Sequence, residues 1–306
     1  MILRYNIIMK RYIEYENCKI CPRNCGVNRY NKTGFCKMPA NLYVSHTSLH
    51  MWEEPPITGE NGSGTIFFTG CNLRCVYCQN YKIAIENFGK CIDESELADI
   101  FLKLQNKGAH NINLVTPSHY ILNIADAIDI AEMRGLNIPI VYNTSSYEKV
   151  ESLKLLSGKI DIYLADLKYF DKKLSEKYSK AADYFEIASG AIEQMFNQVG
   201  RFEYDGELLK RGLVIRHLLL PEHIEDSKKV VKYLYDKYSD DIIFSIMSQY
   251  TPVRKLKYDN LNKRVDEREY NELVDFCIEL GIENAFIQDG ESATESFIPN
   301  FNVNKV

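Results

Sequence analysis

The chain has 306 residues, of which 45% are hydrophobic and 26% are charged, as expected for a globular protein with a substantial core. Its formal net charge of -5 argues against broad nonspecific binding to nucleic acid or to an anionic membrane. No apolar run approaches the roughly 20 residues that span a bilayer, and the first residues lack a signal-peptide pattern. We therefore expect a cytoplasmic protein without a nucleic-acid or membrane partner.

The first part of the chain, residues 1–60, lacks a regular alternation of strands and helices. It contains the loop sequence CKICPRNCGVNRYNKTGFC, in which Cys18, Cys21, Cys25 and Cys36 have the spacing C-x2-C-x3-C-x10-C. Four thiols close a metal site, so structural zinc and a second, fully ligated iron-sulfur cluster both fit. The remaining alternative is four unliganded thiols, which would be an oxidation liability. We predict a small N-terminal Cys-rich segment that folds around a metal.

From residue 64 onward, short apolar runs alternate with segments of helical period. The predicted strands are GTIFFTG, NINLVTP, IPIVYNT, KIDIYLADLK, GLVIRHLLLP, DIIFSIMSQY and NAFIQ. The predicted helices are one that begins at Asp93 or Ser95, then YILNIADAIDIAEMRG, YEKVESLKLLSG, DYFEIASGAIEQMFNQVG, EDSKKVVKYLYDKY and EREYNELVDFCIELG. Asp266 with Glu269 resembles a capping box at the start of the last helix. This alternation extends over residues 61–295, and residues 296–306 form a C-terminal tail.

Near-continuous apolar strands that are each followed by a helix indicate parallel βαβ units with both sheet faces covered. The sequence therefore predicts an α/β fold, either a doubly wound sheet or a barrel, complete or partial. In a barrel, reactive side chains gather at the C-terminal ends of the strands. The polar residues at these ends are Thr116, Ser118, His119, Asn143, Thr144, Ser145, Asp166, Lys168, Arg216, His217, Gln249 and Tyr250. The alternative is that strand ends are polar in any fold because they meet solvent.

A second cysteine group follows the first strand in the stretch FFTGCNLRCVYCQNY, where Cys71, Cys75 and Cys78 form a C-x3-C-x2-C array. A structural zinc site normally uses four protein ligands, and no histidine occurs within the next thirty residues. Three thiolates on a cube of four irons leave one iron without a protein ligand. That iron can take a substrate or cosubstrate, so the array favours a 4Fe-4S site that opens into the barrel mouth.

This array resembles the signature of the radical S-adenosylmethionine (radical SAM) superfamily, C-x3-C-x-aromatic-C, with Tyr77 at the aromatic position. The resemblance implies a partial (β/α)6 TIM-like barrel. It also implies a 4Fe-4S cluster on the three cysteines, with S-adenosylmethionine bound to the fourth iron. One electron then cleaves S-adenosylmethionine to methionine and a 5'-deoxyadenosyl radical, which abstracts hydrogen from a substrate. An anaerobic oxidoreductase is expected.

Several stretches are similar to the branch of this superfamily that is related to pyruvate formate-lyase activating enzyme. They are CKICPRNCGVNR, FFTGCNLRCVYCQN, VTPSHY, VYNTSSYE, DIYLADLKY, GLVIRHLLLP and MSQYTP. The resemblance implies a protein substrate of the glycyl-radical type and an electron donor such as flavodoxin or ferredoxin. The sequence KLKYDNLNKR at 255–264 is either a solvated loop or a docking site for such an acidic partner. The alternative substrates are another peptide or a small molecule.

The resemblance also assigns cosubstrate contacts to individual residues. Asp166 and Lys168 match a strand-four pair near the cosubstrate, and Arg216 matches a strand-five arginine near the methionyl carboxylate or the ribose. In place of the Gly-Gly-Glu stretch of activating enzymes, this chain has Thr116-Pro117-Ser118-His119. We also predict cosubstrate contacts from Ser118, His119, Asn143 and Tyr77, although His119 alternatively is a core histidine.

Two functions from other classes also fit parts of the sequence. One is a noncatalytic iron-sulfur electron carrier, which predicts fully ligated clusters. The other is a zinc-binding interaction protein in which the Cys-rich segment is fused to an α/β domain. The vacancy in the three-cysteine array and the row of polar strand ends favour an enzyme over both.

Overall fold

The apolar runs of the sequence form the strands of one sheet in the computed structural model, which describes residues 11–86 and 88–288. The strands are β1 (Leu42–His50), β2 (Ser63–Phe68), β3 (Lys90–Ile92), β4 (Ile112–Val115), β5 (Ile140–Thr144), β6 (Ile162–Asp166), β7 (Glu203–Asp205), β8 (Leu208–Leu218), β9 (Ile243–Met247) and β10 (Ala285–Ile287). Every residue of β2, β4 and β9 is buried, because helices and loops cover both faces of these strands.

The sheet is an open, partial barrel of parallel strands with an antiparallel flank. Its strand order is β10-β9-β8-β6-β5-β4-β2-β1-β3, and the strands from β10 to β2 in this order run parallel. β1 pairs antiparallel with β2 and β3, and β7 pairs antiparallel with β8. In the part of the chain that the structure describes, β10 and β3 lie at the two open edges. The predicted α/β partial barrel is thus confirmed.

Helices connect the strands and cover the outside of the sheet. They are α1 (Pro55–Thr58), α2 (Tyr81–Ile85), α3 (Glu94–Asn106), α4 (Ile121–Met133), α5 (Val150–Leu153), α6 (Lys172–Ser179), α7 (Tyr184–Val199), α8 (Ile224–Tyr238) and α9 (Glu267–Leu280). Within residues 11–86 and 88–288, none of them combines the length and the apolar content that crossing a lipid bilayer requires.

Two helix predictions differ from the structure. The stretch predicted as one long helix at YEKVESLKLLSG forms only the short α5 and a 3-10 turn (Lys154–Leu156). The predicted capping box of α9 is wrong in its second half. Asp266 caps the helix by accepting a hydrogen bond of 2.8 Å from the Arg268 amide, but the Glu269 carboxylate accepts from the Glu222 amide instead. A nearby loop therefore replaces the N-cap amide as the partner of Glu269.

The N-terminal segment contributes to the main core. The sequence predicted only a loop that folds around a metal and no part in this core. β1 lies within this segment and is hydrogen-bonded to β2. Tyr15 and Met38 are buried in the same core as the barrel strands. Arg29 is also buried, and it donates hydrogen bonds to the carbonyl oxygens of His119 (2.5 Å) and Pro39. The division of the chain near residue 60 stays a prediction, but these contacts attach the segment firmly to the barrel.

The end of the barrel at which the strands begin is closed by α1. Ile57 packs into a buried cluster with Val141, Ile162 and Val214 from three parallel strands. Its carbonyl oxygen accepts a hydrogen bond of 2.7 Å from the Asn111 side chain, directly before β4. With this end closed, the opposite end, where the strands finish, is the one that can open to a ligand.

Candidate active site

A cavity of about 230 Å³ lies at the C-terminal ends of the parallel strands. It brings together eight of the residues that the sequence predicts for the site, from the loop after β2 and from the ends of β5, β6 and β8. These residues are Cys71, Cys75, Tyr77, Cys78, Asn143, Asp166, Lys168 and Arg216. Thr116, Thr144, Ser145, Gln249 and Tyr250 also line it. The cavity therefore contains three thiols, one carboxylate and two cationic groups among the predicted residues.

The loop that carries the three cysteines depends on a glycine at its start. Gly70 has a φ of 86°, and a Cβ atom there would lie 2.3 Å from the Met38 side chain and 2.9 Å from the Cys36 carbonyl oxygen. Only glycine combines this backbone conformation with so close an approach. The sequence FFTGC thus directs the chain from β2 into a tight loop that is packed on the N-terminal segment.

Hydrogen bonds reach the sulfur atoms of this loop. The amide of Leu73 donates to Cys71 Sγ at 3.3 Å, and the Ser179 hydroxyl donates to Cys75 Sγ at 3.1 Å. Such donors stabilise thiolates and orient them as metal ligands. Three soft thiolate donors in one partly enclosed loop are the ligand set that an iron-sulfur cluster uses. The residues present therefore fit a cluster bound through three cysteines.

The electrostatics of the loop oppose free thiolates. Burial raises the pKa of the Cys71 thiol, and burial together with the neighbouring thiols raises the pKa of Cys78 to about 12. The positive charge of Lys168 acts in the opposite direction on both thiols. Asp166 Oδ2 accepts a hydrogen bond of 2.6 Å from Lys168 Nζ, so the two side chains lie on one face as their spacing predicts.

Asp166 also determines the charge state of Lys168. Burial acts to lower the pKa of Lys168, but the charge and hydrogen bond of Asp166, together with Cys75 and Cys78, outweigh it and hold the pKa above its ordinary value. Lys168 is therefore a cation inside the cavity. With Asp166 beside it, it forms a polar, paired patch that can meet hydroxyl and carboxylate groups of a ligand.

Tyr77, the aromatic residue of the cysteine motif, is held by other tyrosines. Its hydroxyl accepts a hydrogen bond of 2.7 Å from Tyr169, and its ring makes edge contacts with Tyr169, Tyr178 and Tyr250 at centroid distances of 6.1 to 6.4 Å. Such edge-to-face pairs fix the ring orientation. Tyr77 therefore presents a rigid apolar wall beside the thiols.

Arg216 lies inside the barrel, and two carboxylates that the sequence analysis missed surround it. Arg216 Nε and Nη2 donate to Glu54 at 2.7 and 2.5 Å, and Nη2 also contacts Glu53. Burial acts to raise the pKa of Glu54, but the charge of Arg216 and its hydrogen bonds hold that pKa below its usual value. The acidic pair just before the two prolines of α1 was the available signal, but sequence gives no reason to place it beside β8.

His217 points away from the cavity, as strand alternation predicts for the neighbour of Arg216. One ring nitrogen contacts the Leu167 carbonyl oxygen at 2.7 Å, and the other contacts the Ser227 hydroxyl at 2.8 Å. Burial lowers the pKa of His217 to about 4, so the ring is neutral. His217 therefore holds α8 against β8 and has no place in the site.

Ser118 and His119 do not line the cavity, in contrast to the placement expected from the sequence. Thr116 has a φ of 60°, and the 3-10 turn that follows carries the next side chains behind the strand ends. Ser118 donates to the buried carboxylate of Glu148, and a ring nitrogen of His119 contacts the Thr69 carbonyl oxygen at 2.7 Å. The core-histidine alternative describes His119 better than a cosubstrate contact does.

The four N-terminal cysteines lie in one loop region against the barrel. Cys18, Cys21 and Cys36 are buried and Cys25 is half-buried. A Cβ atom on Gly34 would lie 3.4 Å from the sulfur of Cys25 and 3.8 Å from that of Cys36. Over residues 11–86 and 88–288, no three His, Cys, Asp or Glu side chains converge closely enough to hold a single metal ion. This result covers Cys71, Cys75 and Cys78 as well, and it concerns a single metal ion rather than a cluster whose irons each take one thiolate. The zinc site and the second cluster stay predictions.

Comparison with known proteins agrees with the fold. Residues 65–198 match the family model described as the Radical SAM superfamily. An uncharacterized protein of Methanocaldococcus jannaschii is 31% identical over 274 residues, which cover 86% of this chain and 75% of that protein. Its similarity extends well beyond the residues that the family model matches.

One solved structure shares the fold at low sequence identity, and a second is less similar. A radical SAM methyltransferase from Sphaerobacter thermophilus has a TM-score of 0.51 at 13% identity, covering 74% of this chain and 66% of that one. SuiB of Streptococcus suis, bound to the precursor peptide SuiA, has a TM-score of 0.49 at 16% identity over 72% of this chain. This chain spans about half of SuiB, with 47% of that protein covered. The cysteine motif opens into the mouth of a partial barrel, and residues 65–198, which contain this motif, match the radical SAM superfamily, so the chain carries a radical SAM domain.

Proposed function

We propose that this protein is an enzyme that uses S-adenosylmethionine as a radical source, with Cys71, Cys75 and Cys78 as the protein ligands of a 4Fe-4S cluster. The observation that carries the proposal is the position of these three thiols in one cavity with Asp166, Lys168 and other polar strand ends. Bound there, the cluster supplies one electron for cleavage of S-adenosylmethionine to methionine and a 5'-deoxyadenosyl radical, which takes hydrogen from the substrate.

The residues of the cavity differ in charge and shape, and each can make a different contribution to binding. Lys168, kept cationic by Asp166, suits the methionyl carboxylate or the ribose hydroxyls. Asn143 offers an amide at the end of β5, and Tyr77 contributes an apolar wall. Arg216 donates to two carboxylates already, so it acts as a fixed part of the cavity wall rather than as a free carboxylate receptor. This proposed role differs from the one that the resemblance implies for Arg216.

The experiment that tests the proposal measures 5'-deoxyadenosine. Protein purified without oxygen and loaded with iron and sulfide is mixed with dithionite and S-adenosylmethionine, and 5'-deoxyadenosine is quantified. We expect product from the parent chain and none from the Cys75→Ala variant. Cys91→Ala is the matched control, because Cys91 is exposed on β3 and does not line the cavity. Equal product from Cys75→Ala would contradict the proposal, as would zinc as the only metal in the parent.

Binding of S-adenosylmethionine can be measured without turnover. The chain contains a single tryptophan, and this residue, Trp52, lines the cavity. A ligand in the cavity should therefore change the intrinsic tryptophan fluorescence in a saturable way. The same titration with Lys168→Ala should give weaker binding, by about tenfold for the loss of one charged contact. An unchanged titration would remove Lys168 from the cosubstrate site.

The finer proposal is that the hydrogen donor is a partner protein, as for activating enzymes of glycyl-radical enzymes. Its support is the ordered set of stretches from CKICPRNCGVNR to MSQYTP, which runs through nearly the whole chain. The segment Thr116 to His119 separates this chain from those activating enzymes, since it lacks Gly-Gly-Glu. An organic radical detected by electron paramagnetic resonance on an added glycyl-radical enzyme would support this substrate. A radical or modification on a short peptide or small molecule instead would contradict it.

A further inference from the structure

The surface beside the cysteine loop carries an unusual local charge. The stretches 172–180 and 254–260 contain seven basic residues and two acidic ones, Glu176 and Asp259, which leaves five positive charges in excess on a chain of net charge -5. The basic residues, here called the basic face, are Lys172, Lys173, Lys177, Lys180, Arg254, Lys255 and Lys257. All seven are exposed. A local excess of this size on an acidic protein points to an acidic partner.

The charges of the basic face are not neutralised by neighbouring carboxylates. Some basic side chains elsewhere on the surface are paired, as in Arg134 with Asp99 and Lys237 with Glu193, whereas others among the described residues, such as Lys103, stand singly. Over the described ranges 11–86 and 88–288, no residue of the basic face takes part in an ion pair. Lys177 and Lys257 instead lie over the ring of Tyr258, at 4.9 and 4.7 Å. These contacts hold the ammonium groups in place and leave their charge available to another molecule.

The basic face adjoins the outer side of the cysteine loop. Arg254 Nη2 donates to the Val76 carbonyl oxygen at 3.0 Å, and the Val76 amide donates to the Tyr178 carbonyl oxygen at 2.8 Å. Ser179, at the end of α6, donates to Cys75 Sγ at 3.1 Å. Ser179 directly precedes Lys180 of the basic face, so a single hydrogen bond connects this edge of the face to the thiol of Cys75. A protein docked on this face would lie next to the site that must receive an electron.

We infer that the basic face is the docking surface of a small acidic protein that carries single electrons. This inference rests on the proposed function, because only a site that is reduced before each turnover needs such a partner. In the docked complex, the reduced carrier loses one electron and the iron-sulfur site on Cys71, Cys75 and Cys78 gains it. No proton or bond is exchanged. The positive charges steer the carrier to the surface beside Cys75 and Val76, from which the electron has a short path to the iron-sulfur site.

The experiment first measures binding rather than turnover. Purified flavodoxin serves as the acidic one-electron carrier, and its affinity for the anaerobically purified protein is measured by calorimetry. Lys173→Glu with Lys255→Glu reverses two charges of the basic face, one in each stretch. Lys103→Glu with Lys107→Glu is the matched control, because these exposed lysines lie at the end of α3, which packs on α4 and β1 and not on α6.

We expect the basic-face variant to bind flavodoxin at least about tenfold more weakly at about 0.02 M salt and the control variant to bind like the parent. At about 0.5 M salt the difference should largely vanish, because the charges are screened. Equal binding by the parent and both variants would overturn the inference. A single-stranded oligonucleotide that binds the same face more tightly than flavodoxin would overturn it as well, in favour of a nucleic-acid site.

Reduction by two different donors then separates this inference from the proposed function. With dithionite, a small reductant that needs no docking surface, both variants should form 5'-deoxyadenosine like the parent. With reduced flavodoxin at low salt, only the basic-face variant should lose rate, by about tenfold. A parent that fails with dithionite contradicts the proposed function. A basic-face variant that equals the parent with reduced flavodoxin overturns the docking surface alone.

Discussion

Arg23 Nε donates a hydrogen bond of 2.8 Å to the carbonyl oxygen of Asn72, and this contact joins the N-terminal cysteine segment to the loop of Cys71, Cys75 and Cys78. The same guanidinium donates to the Leu73, Ser179 and Lys180 carbonyl oxygens. Because Arg23 lies between Cys21 and Cys25, one side chain fixes the position of the N-terminal loop relative to the loop that we propose binds a cluster. Arginine suits this position because its fork presents several donors in fixed directions.

We predict that Arg23→Met lowers the iron and sulfide that the protein retains after reconstitution and lowers its free energy of unfolding by about 2 kcal/mol. The physical reason is that four carbonyl oxygens lose a charged donor and the cysteine loop loses its support. Arg254→Met is the matched control, because Arg254 donates to the Val76 carbonyl oxygen of the same loop but is exposed. Iron content, sulfide content and thermal unfolding are measured together. Full iron and sulfide in Arg23→Met would show that the loop keeps its geometry without this contact.

A second prediction concerns the hydrogen bond from Ser179 to Cys75 Sγ. A donor to a ligand sulfur stabilises negative charge on it, and therefore favours the reduced form of a cluster. Ser179→Ala should shift the reduction potential of the reconstituted protein to a more negative value without loss of iron. Ser175→Ala is the control, because Ser175 is buried in the same helix but donates to the Lys172 carbonyl oxygen. A redox titration followed by electron paramagnetic resonance gives both potentials, and equal potentials for the two variants would refute the prediction.

Periodicity in the sequence was sufficient for the parallel strands, most of the helices and the edge of the sheet at which the site lies, but it missed the antiparallel strands β1, β3 and β7. It missed α6, because KKLSEKYS has few apolar residues and its helix is stabilised by Tyr178 and Ser179 packing against the barrel. It also misplaced Ser118 and His119. The left-handed residue Thr116 and the turn after it reverse the direction of these side chains, and local sequence does not specify that reversal.

The residues that sequence analysis missed are buried or half-buried charges whose partners are distant in the chain. Glu54 and Arg216 are 162 positions apart, and Arg23 and Asn72 are 49 positions apart. A charge in a polar stretch is normally exposed, so its burial becomes visible only when its partner is known. By contrast, the cysteine motif needed no distant partner, because its spacing alone indicates its ligand chemistry.

A third prediction uses Glu148, a fully buried carboxyl group that accepts hydrogen bonds from Ser118 and from Thr144 Oγ1 (2.6 Å). Burial raises the pKa of Glu148 to about 7, and its other oxygen has no hydrogen-bond partner in the described part of the chain. In the unfolded chain this carboxyl group loses its proton near pH 4.3. The folded state therefore holds a proton that the unfolded state has released, and stability falls as the pH rises from about 4.3 to about 7.

In Glu148→Gln the side chain no longer titrates, so this pH dependence is lost. The amide oxygen of the glutamine still accepts the same hydrogen bonds. Relative to the parent, we expect the variant to gain about 1.4 kcal/mol of unfolding free energy for each pH unit in that window. Denaturant unfolding at several pH values measures the difference. Glu176→Gln is the control, because Glu176 is an exposed carboxylate on α6. Parallel curves for Glu148→Gln and the parent would mean that Glu148 is ionised in the folded protein.

The last prediction separates the two carboxylates that bind Arg216. Glu54 accepts two hydrogen bonds from the guanidinium and does not line the cavity, whereas Glu53 lines the cavity and also accepts a bond of 2.9 Å from the Asn113 amide. Breaking a buried ion pair by removing one partner costs about 3 to 5 kcal/mol. We therefore expect Glu54→Gln to lower the unfolding free energy by an amount in this range, because Glu54 is the carboxylate that accepts two hydrogen bonds from Arg216.

Glu53→Gln should lower stability by only about 1 kcal/mol, because Arg216 keeps Glu54 and the new amide oxygen can still accept from Asn113. Its main effect should be on ligand binding, measured as a change in the affinity for S-adenosylmethionine by Trp52 fluorescence.

The stability of the parent and of Glu54→Gln should also depend differently on pH in acid. Arg216 holds the pKa of Glu54 below its usual value, so the parent loses this stabilisation as the pH falls through that lowered pKa, whereas Glu54→Gln has none to lose. Equal destabilisation and equal binding in the two variants would show that the carboxylates act as one unit on Arg216.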